Sequence, residues 1–333
     1  MTSAKKHTRI EALDFVKGAL VLIMVLYHWL NYFASPALDY RYLRFLTPSF
    51  LFITGFLISH IYLSKPVSSN GPAKRLLARA VKLLAVFVAL NVAKAMISGG
   101  TSAPEGGQFS MRDVAAVFGV GPSDTDKVMS FYILIPISYV LMVAAALTAP
   151  FRAYRYTFHV VTALLLLIIA ALSAYGFYSP NLDFVTLGLL GVVCGFTSLE
   201  RIDGLASHYG WLAVAYAAYL IAIARWNVPF GLLIIGVGLT LLAIYVVAVI
   251  GDQSNRARQH VILLGQYSLF GYIAQIAILQ GLSAASRGFT VAGLGIYVSF
   301  LAAFAMTMAA VELVAAAKTR SITVDRLYRA VFA

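Results

Sequence analysis

Residues 13–33 read LDFVKGALVLIMVLYHWLNYF. The run is apolar enough to lie in hydrocarbon. At roughly 1.5 Å per residue it is also long enough to cross a bilayer core of roughly 30 Å. Yet it holds Asp14 and Lys17 at one end and His28 and Asn31 well inside the other. Ionisable groups are costly inside a membrane helix, and they face the protein interior or a wet cavity. Whether the stretch is a membrane span with a purposeful polar stripe or the core helix of a soluble protein decides the fold class.

The rest of the chain favours the membrane. Its 333 residues are 61% hydrophobic and 11% charged, with a mean hydropathy of +0.86. A soluble domain carries roughly 25% charged residues, and so few could not clothe a soluble surface. Apolar runs occur at about 15–34, 46–64, 76–97, 128–149, 157–176, 183–199, 207–225, 228–250, 261–282 and 290–317. These predict an all-α, polytopic membrane protein with about ten transmembrane helices, forming one domain over residues 1–333. The short turn RWNVP joins the seventh and eighth runs as a hairpin. Pro48, Pro136 and Pro229 are expected to break or kink their spans. The first apolar run exceeds the roughly 7–15 residues of a signal-peptide core, so it reads as a retained span.

Basic residues set the orientation. With the N-terminus in the cytoplasm, eighteen of the 25 lysines and arginines fall on the cytoplasmic side, and the C-terminus returns there too. The expected location is the cell (inner) membrane, with both termini cytoplasmic. The net charge of +12 is thus largely topological and does not argue for nucleic acid. The loop 98–127 falls outside, and Ser110 with Asp113 three residues on marks the start of a short helix within it. Cys194, the lone cysteine, is expected to be a small buried packing residue.

Positions seven apart nearly superpose on a helix. Asp14, Val21 and His28 form one row, and Lys17, Met24 and Asn31 form its neighbour. Lys17 and His28 share a face about 16 Å apart along the axis. Asp14 and Lys17 read equally well as an interfacial ion pair, with Lys17 snorkelling. His28 carries the functional hypothesis, with a packed core histidine as the plain alternative. Glu312 falls near the depth of Lys17 and is a plausible ion-pair partner. His60 and His159 read as interfacial, and Asn91 and Lys94 point to a wet interior or the outer boundary. There is no HExxH, P-loop, nucleotide fingerprint or carboxylate cluster, and no metal site is expected.

Four segments carry a family resemblance. LDFVKGALVLIMVLYH pairs a basic residue with a histidine after ten residues. TPSFLFITGFLISHIYL, KRLLARAVK and LGQYSLFGYIAQIAIL follow in order. The chain thereby resembles the integral-membrane acyltransferases of acyltransferase family 3, with their OpgC-type and heparan-glucosaminide N-acetyltransferase relatives. Two positions depart from that pattern. Lys17 stands where arginine is usual, offering a point charge rather than a planar fork, and Gln275 stands where the family often has histidine. The resemblance implies transfer of an acyl group, of acetyl or succinyl class. The donor is a cytoplasmic acyl-CoA acting as co-substrate, with no permanently bound cofactor. The acceptor is a hydroxyl or amine of an extracytoplasmic carbohydrate or glycolipid.

On that reading His28 is the general base, since imidazole titrates near neutrality; an acyl-histidine intermediate is the alternative. Asp14, Lys17, Asn31, Tyr27 and Tyr132 are the substrate-binding candidates, with Tyr32 a further one. Lys74, Arg75, Arg79 and Lys82 are the candidates for the donor's phosphates, or else an anchor on anionic lipid. The competing class is a transporter or flippase of a glycan or small molecule, without acyl-transfer chemistry.

Overall fold

The computed structural model describes residues 11–33, 40–63, 71–97, 111–121, 131–151, 156–226, 229–251, 255–286 and 294–332. Among these the regular elements are all helical. In chain order they are α1 (Glu11–Phe33), α2 (Leu46–Ile58), α3 (Gly71–Ile97), α4 (Met111–Gly119), α5 (Leu134–Phe151), α6 (Thr157–Ala174) and α7 (Pro180–Cys194). There follow α8 (Leu199–Ala206), α9 (Tyr209–Arg225), α10 (Phe230–Ile250), α11 (Arg256–Gln266), α12 (Ser268–Ser286), α13 (Leu294–Arg320) and α14 (Ile322–Phe332). A 3₁₀ turn at Tyr40–Leu43 precedes α2, and a π-helical turn at Ser59–Leu63 follows it.

Among the described residues, seven helical segments are long and apolar enough to cross a bilayer, and α5, α7 and α9 are shorter apolar helices. Their outer faces are what lipid requires. On α6, Val160, Leu164, Leu167 and Ile168 are all exposed, and Tyr156 and Tyr175 stand exposed at its two ends. Large apolar side chains on the outside, with aromatics at the helix ends, suit a hydrocarbon slab between two interfaces. Hydroxyls within the helices bond back to their own carbonyls: Thr54 to Phe50, Ser138 to Leu134, Thr148 to Ala144 and Thr307 to Ala303. This satisfies them without water.

The chain forms two compact units, one of Met1–Leu46 with Asp203–Ala333 and one of Thr47–Ile202. In the first, α1 packs against α10, α11, α12 and α13. The α1–α11 crossing is backbone on backbone. A Cβ on Gly18 would overlap the Val261 carbonyl, and one on Gly265 would overlap the Asp14 carbonyl. Small residues at helix crossings allow this approach in membranes, where dispersion rather than water drives association. At Gly271 of α12, Val21, Leu264 and Val311 converge from α1, α11 and α13. Further along, Val25, Trp29, Leu279 and Ala303 form a buried cluster, and Trp29 Nε1 donates to Ser299 Oγ at 2.9 Å.

The second unit repeats the device. Gly55 of α2 meets the Gly188 carbonyl of α7, and Gly191 meets the Phe52 carbonyl. Ser59 Oγ donates to the Val192 carbonyl at 2.5 Å. On α3, Leu76, Ala80, Leu83 and Phe87 make the buried stripe, and this helix packs on α5.

Several sequence expectations need correction. The run 261–282 is not one helix: α11 ends at Gln266, Tyr267 is non-helical, and α12 starts at Ser268. The prolines start helices rather than kinking them. Pro48 and Pro136 lie in the first turns of α2 and α5, and Pro229 is the N-cap of α10. A missing N–H costs nothing at such positions. Cys194 is exposed, because α7 turns Gly188, Gly191 and Val192 inward instead. The RWNVP connection does join helices that pack on each other, with the Tyr219 ring of α9 seated at Gly236 of α10. Residues 1–10, most of the 98–127 loop and Ser110 lie outside the described residues, although the short helix expected after Ser110 is present as α4.

Candidate functional site

The polar stripe of α1 faces inward over most of its length. Asp14, Val21 and Met24 are buried, while His28 is half-buried. Lys17 Nζ lies 2.6 Å from Asp14 Oδ1, one turn apart on the same helix, with the lysine side chain 18% exposed and the aspartate 7%. The pair therefore sits in the α1–α11 crossing, where the Asp14 carbonyl meets Gly265. Asn31 departs from the expectation: it is exposed in the last turn of α1, as is Tyr32.

His28 packs beside its neighbour Tyr27, with ring centroids 5.3 Å apart, and beside Tyr272 of α12 at 6.3 Å. One turn beyond Tyr272 lies Gln275, fully buried, whose amide nitrogen and oxygen have no hydrogen-bond partner among the described residues. A buried carboxamide left in that state costs roughly 1–3 kcal/mol per group. The helix that carries it is the segment whose resemblance drew attention to position 275, but composition and spacing gave Gln275 no role.

Glu312 is not the partner of Lys17, which Asp14 already holds. Glu312 Oε1 on α13 meets His260 Nδ1 on α11 at 2.8 Å, both side chains about half exposed. Neither residue's sequence neighbourhood announces the other, since the pair spans two helices. A carboxylate on one ring nitrogen fixes the imidazole's orientation and leaves Nε2 available. His60 stacks on Phe56, and His159 stacks on Phe196.

Lys74, Arg75, Arg79 and Lys82 lie on α3 of the second unit and are exposed. At 3.6 residues per turn Arg75, Arg79 and Lys82 fall on one side, flanking the buried stripe. Tyr132 belongs to the same unit. Its hydroxyl donates to Asn181 Oδ1, and Asn181 Nδ2 donates to the carbonyls of Val117, Phe118 and Gly119 at 3.0, 3.1 and 3.3 Å. This clasp ties the end of α4 to the start of α7, so Tyr132 has a structural duty. Among the described residues there is no group of three or more His, Cys, Asp and Glu arranged to hold a metal ion.

The fold and these polar groups together define an all-α integral membrane protein, with ionisable residues packed along its first helix. No protein-family model, curated protein or solved structure matches the chain.

Proposed function

We propose that the protein is a membrane acyltransferase, moving an acetyl- or succinyl-class group from a cytoplasmic acyl-CoA to a hydroxyl or amine of an extracytoplasmic carbohydrate or glycolipid. The observation that carries the reading is the arrangement of α1. An inward-facing Asp14–Lys17 pair and the half-buried His28 share one face of one helix, about 16 Å apart at 1.5 Å per residue. A pantetheine arm is long and thin enough to span that distance. His28 takes the proton of the acceptor hydroxyl as its oxygen attacks the thioester carbonyl. The tetrahedral adduct collapses, the C–S bond breaks, and the imidazolium returns the proton to the departing thiolate. Tyr27 and Gln275 offer hydrogen bonds to a sugar hydroxyl.

Among the described residues, seven long and three shorter apolar helices support ten crossings, which put both termini on one side of a cell membrane, and the distribution of basic residues favours the cytoplasm. The decisive experiment is acyl transfer from acyl-CoA by the purified full chain. His28→Ala is expected to lower turnover by about 10²–10⁴, the usual worth of a positioned base, while donor binding is retained. Near-normal transfer by that variant refutes the role of His28.

A second reading, a transporter or flippase, draws on one feature: the break at Tyr267 between α11 and α12. Discontinuous helices line substrate sites in many transporters. Solute movement in proteoliposomes without consumption of acyl-CoA would favour it.

A further inference from the structure

A second site lies at the start of α1, about one turn before the Asp14–Lys17 pair. Glu11 of α1 and Arg258, Gln259, Ile262, Leu263 and Gln266 of α11 line a cavity of about 260 Å³. Arg258 is 9% exposed, so its charge is held almost wholly inside the protein. Its contacts are poor for a buried guanidinium. Nη1 is 3.7 Å from Glu11 Oε2, Nη2 is 3.4 Å from the Ala248 carbonyl, and Nε has no hydrogen-bond partner among the described residues. Sound N–H···O bonds run at roughly 2.7–3.2 Å, and a guanidinium offers five N–H donors in a planar fork. Among the described residues its one counter-ion, Glu11, is 66% exposed and loosely placed. An under-used arginine fork at a cavity wall is built for a bidentate oxyanion. The carboxamides of Gln259 and Gln266 add donors and acceptors suited to hydroxyls beside that anion.

We infer that this cavity binds a phosphate ester, with Arg258 as its anchor and Glu11 as the internal anion it displaces. The ester is carried either by a small soluble molecule or by a lipid headgroup, and both offer the same chemistry. The site lies within one unit and holds for either functional reading. Ala248 is among the last residues of α10, so Arg258 also satisfies a helix-end carbonyl. That duty alone would not make the protein sensitive to phosphate.

The test is thermal unfolding of the full chain in a neutral maltoside detergent. It is titrated with glycerol 1-phosphate, with short-chain phosphatidylglycerol, and with glycerol as the uncharged control. Stabilisation by glycerol 1-phosphate points to a soluble ligand, and stabilisation by the lipid alone points to a headgroup. Either supports the site, provided the variants respond as follows. Glu11→Gln should lower the half-saturating concentration about threefold, the worth of one solvent-exposed ion pair. Gln259→Glu, at an exposed rim position, should abolish the effect without disturbing the buried arginine. Arg256→Gln, which does not line the cavity, should leave it unchanged. Stabilisation by neither ligand overturns the inference, as does an equal response from wild type, Glu11→Gln and Gln259→Glu.

Discussion

Gly265→Ala isolates the contact on which the first unit depends. The added Cβ would overlap the Asp14 carbonyl oxygen and come within 2.9 Å of the Gly18 amide nitrogen. Both are backbone atoms, so no side chain can rotate aside. Relief requires α1 and α11 to separate, and a gap of roughly 0.5–1 Å already forfeits a quarter to a half of each dispersion contact. Overpacking a tight core costs about 1–3 kcal/mol. Because the obstruction is main chain, the upper end applies, about 3 kcal/mol. The control is Gly281→Ala on α12, where a Cβ meets nothing within 4 Å; it should be neutral or slightly stabilising through helix propensity. Thermal unfolding of the detergent-solubilised chain should show a clear fall in Tm for Gly265→Ala beside no fall for Gly281→Ala. Gly18→Ala should behave like Gly265→Ala, and the double variant should cost less than the two together, since one separation relieves both. Equal Tm values for the Gly265 and Gly281 variants would refute the backbone crossing.

Other outcomes follow from single side chains. Lys17→Ala removes the cation from the buried Asp14 and should cost about 3 kcal/mol, as breaking a buried pair does. Adding Asp14→Asn should recover much of that loss in a double-mutant thermal-unfolding cycle. Asn181→Ala removes an acceptor for Tyr132 and a donor shared by three carbonyls; it should lower stability by about 2–4 kcal/mol, against about 1 kcal/mol for Tyr132→Phe. Arg75→Glu with Arg79→Glu should raise the KM for acyl-CoA about tenfold or more with little change in kcat, the signature of lost binding alone. Unchanged KM in that folded variant would leave the α3 cations as a lipid anchor.

What could be read from sequence followed from how far each signal travels along the chain. The apolar runs were legible because a helix in lipid must satisfy its own backbone, so length and hydropathy suffice. The inward stripe of α1 was legible because its polar residues repeat at helical spacing on one short segment. The break at Tyr267 was not, for no proline marks it. Gly265, two residues earlier, is fixed by contact with Asp14, some 250 residues away in sequence. The His260–Glu312 pair was hidden for the same reason. Cys194 misled because hydropathy does not separate a core-facing from a lipid-facing position, and α7 chose its glycines for the core.

Polar side chains within the helical units find satisfaction in distinct ways, and those that do not are informative. Threonine and serine bond back to the preceding turn, which needs no partner helix. Asp14 pairs with Lys17 by direct charge contact, and the Glu312 carboxylate meets a ring nitrogen of His260 across two helices. Thr162 and Thr240 are buried with hydroxyls that find no partner among the described residues, but a hydroxyl is a single small group and its rotation is free. Gln275 and Arg258 differ in kind. A carboxamide has two donors and an acceptor, a guanidinium has five donors and a permanent charge, and neither can retreat to solvent from its buried position. Chemically cheaper residues would fill the same volume, since an apolar side chain of similar size is often the more stable choice at a buried polar position. Retaining both, one a turn beyond His28's neighbour Tyr272 and one in the wall of a cavity, fits a protein whose interior meets polar ligands at two places.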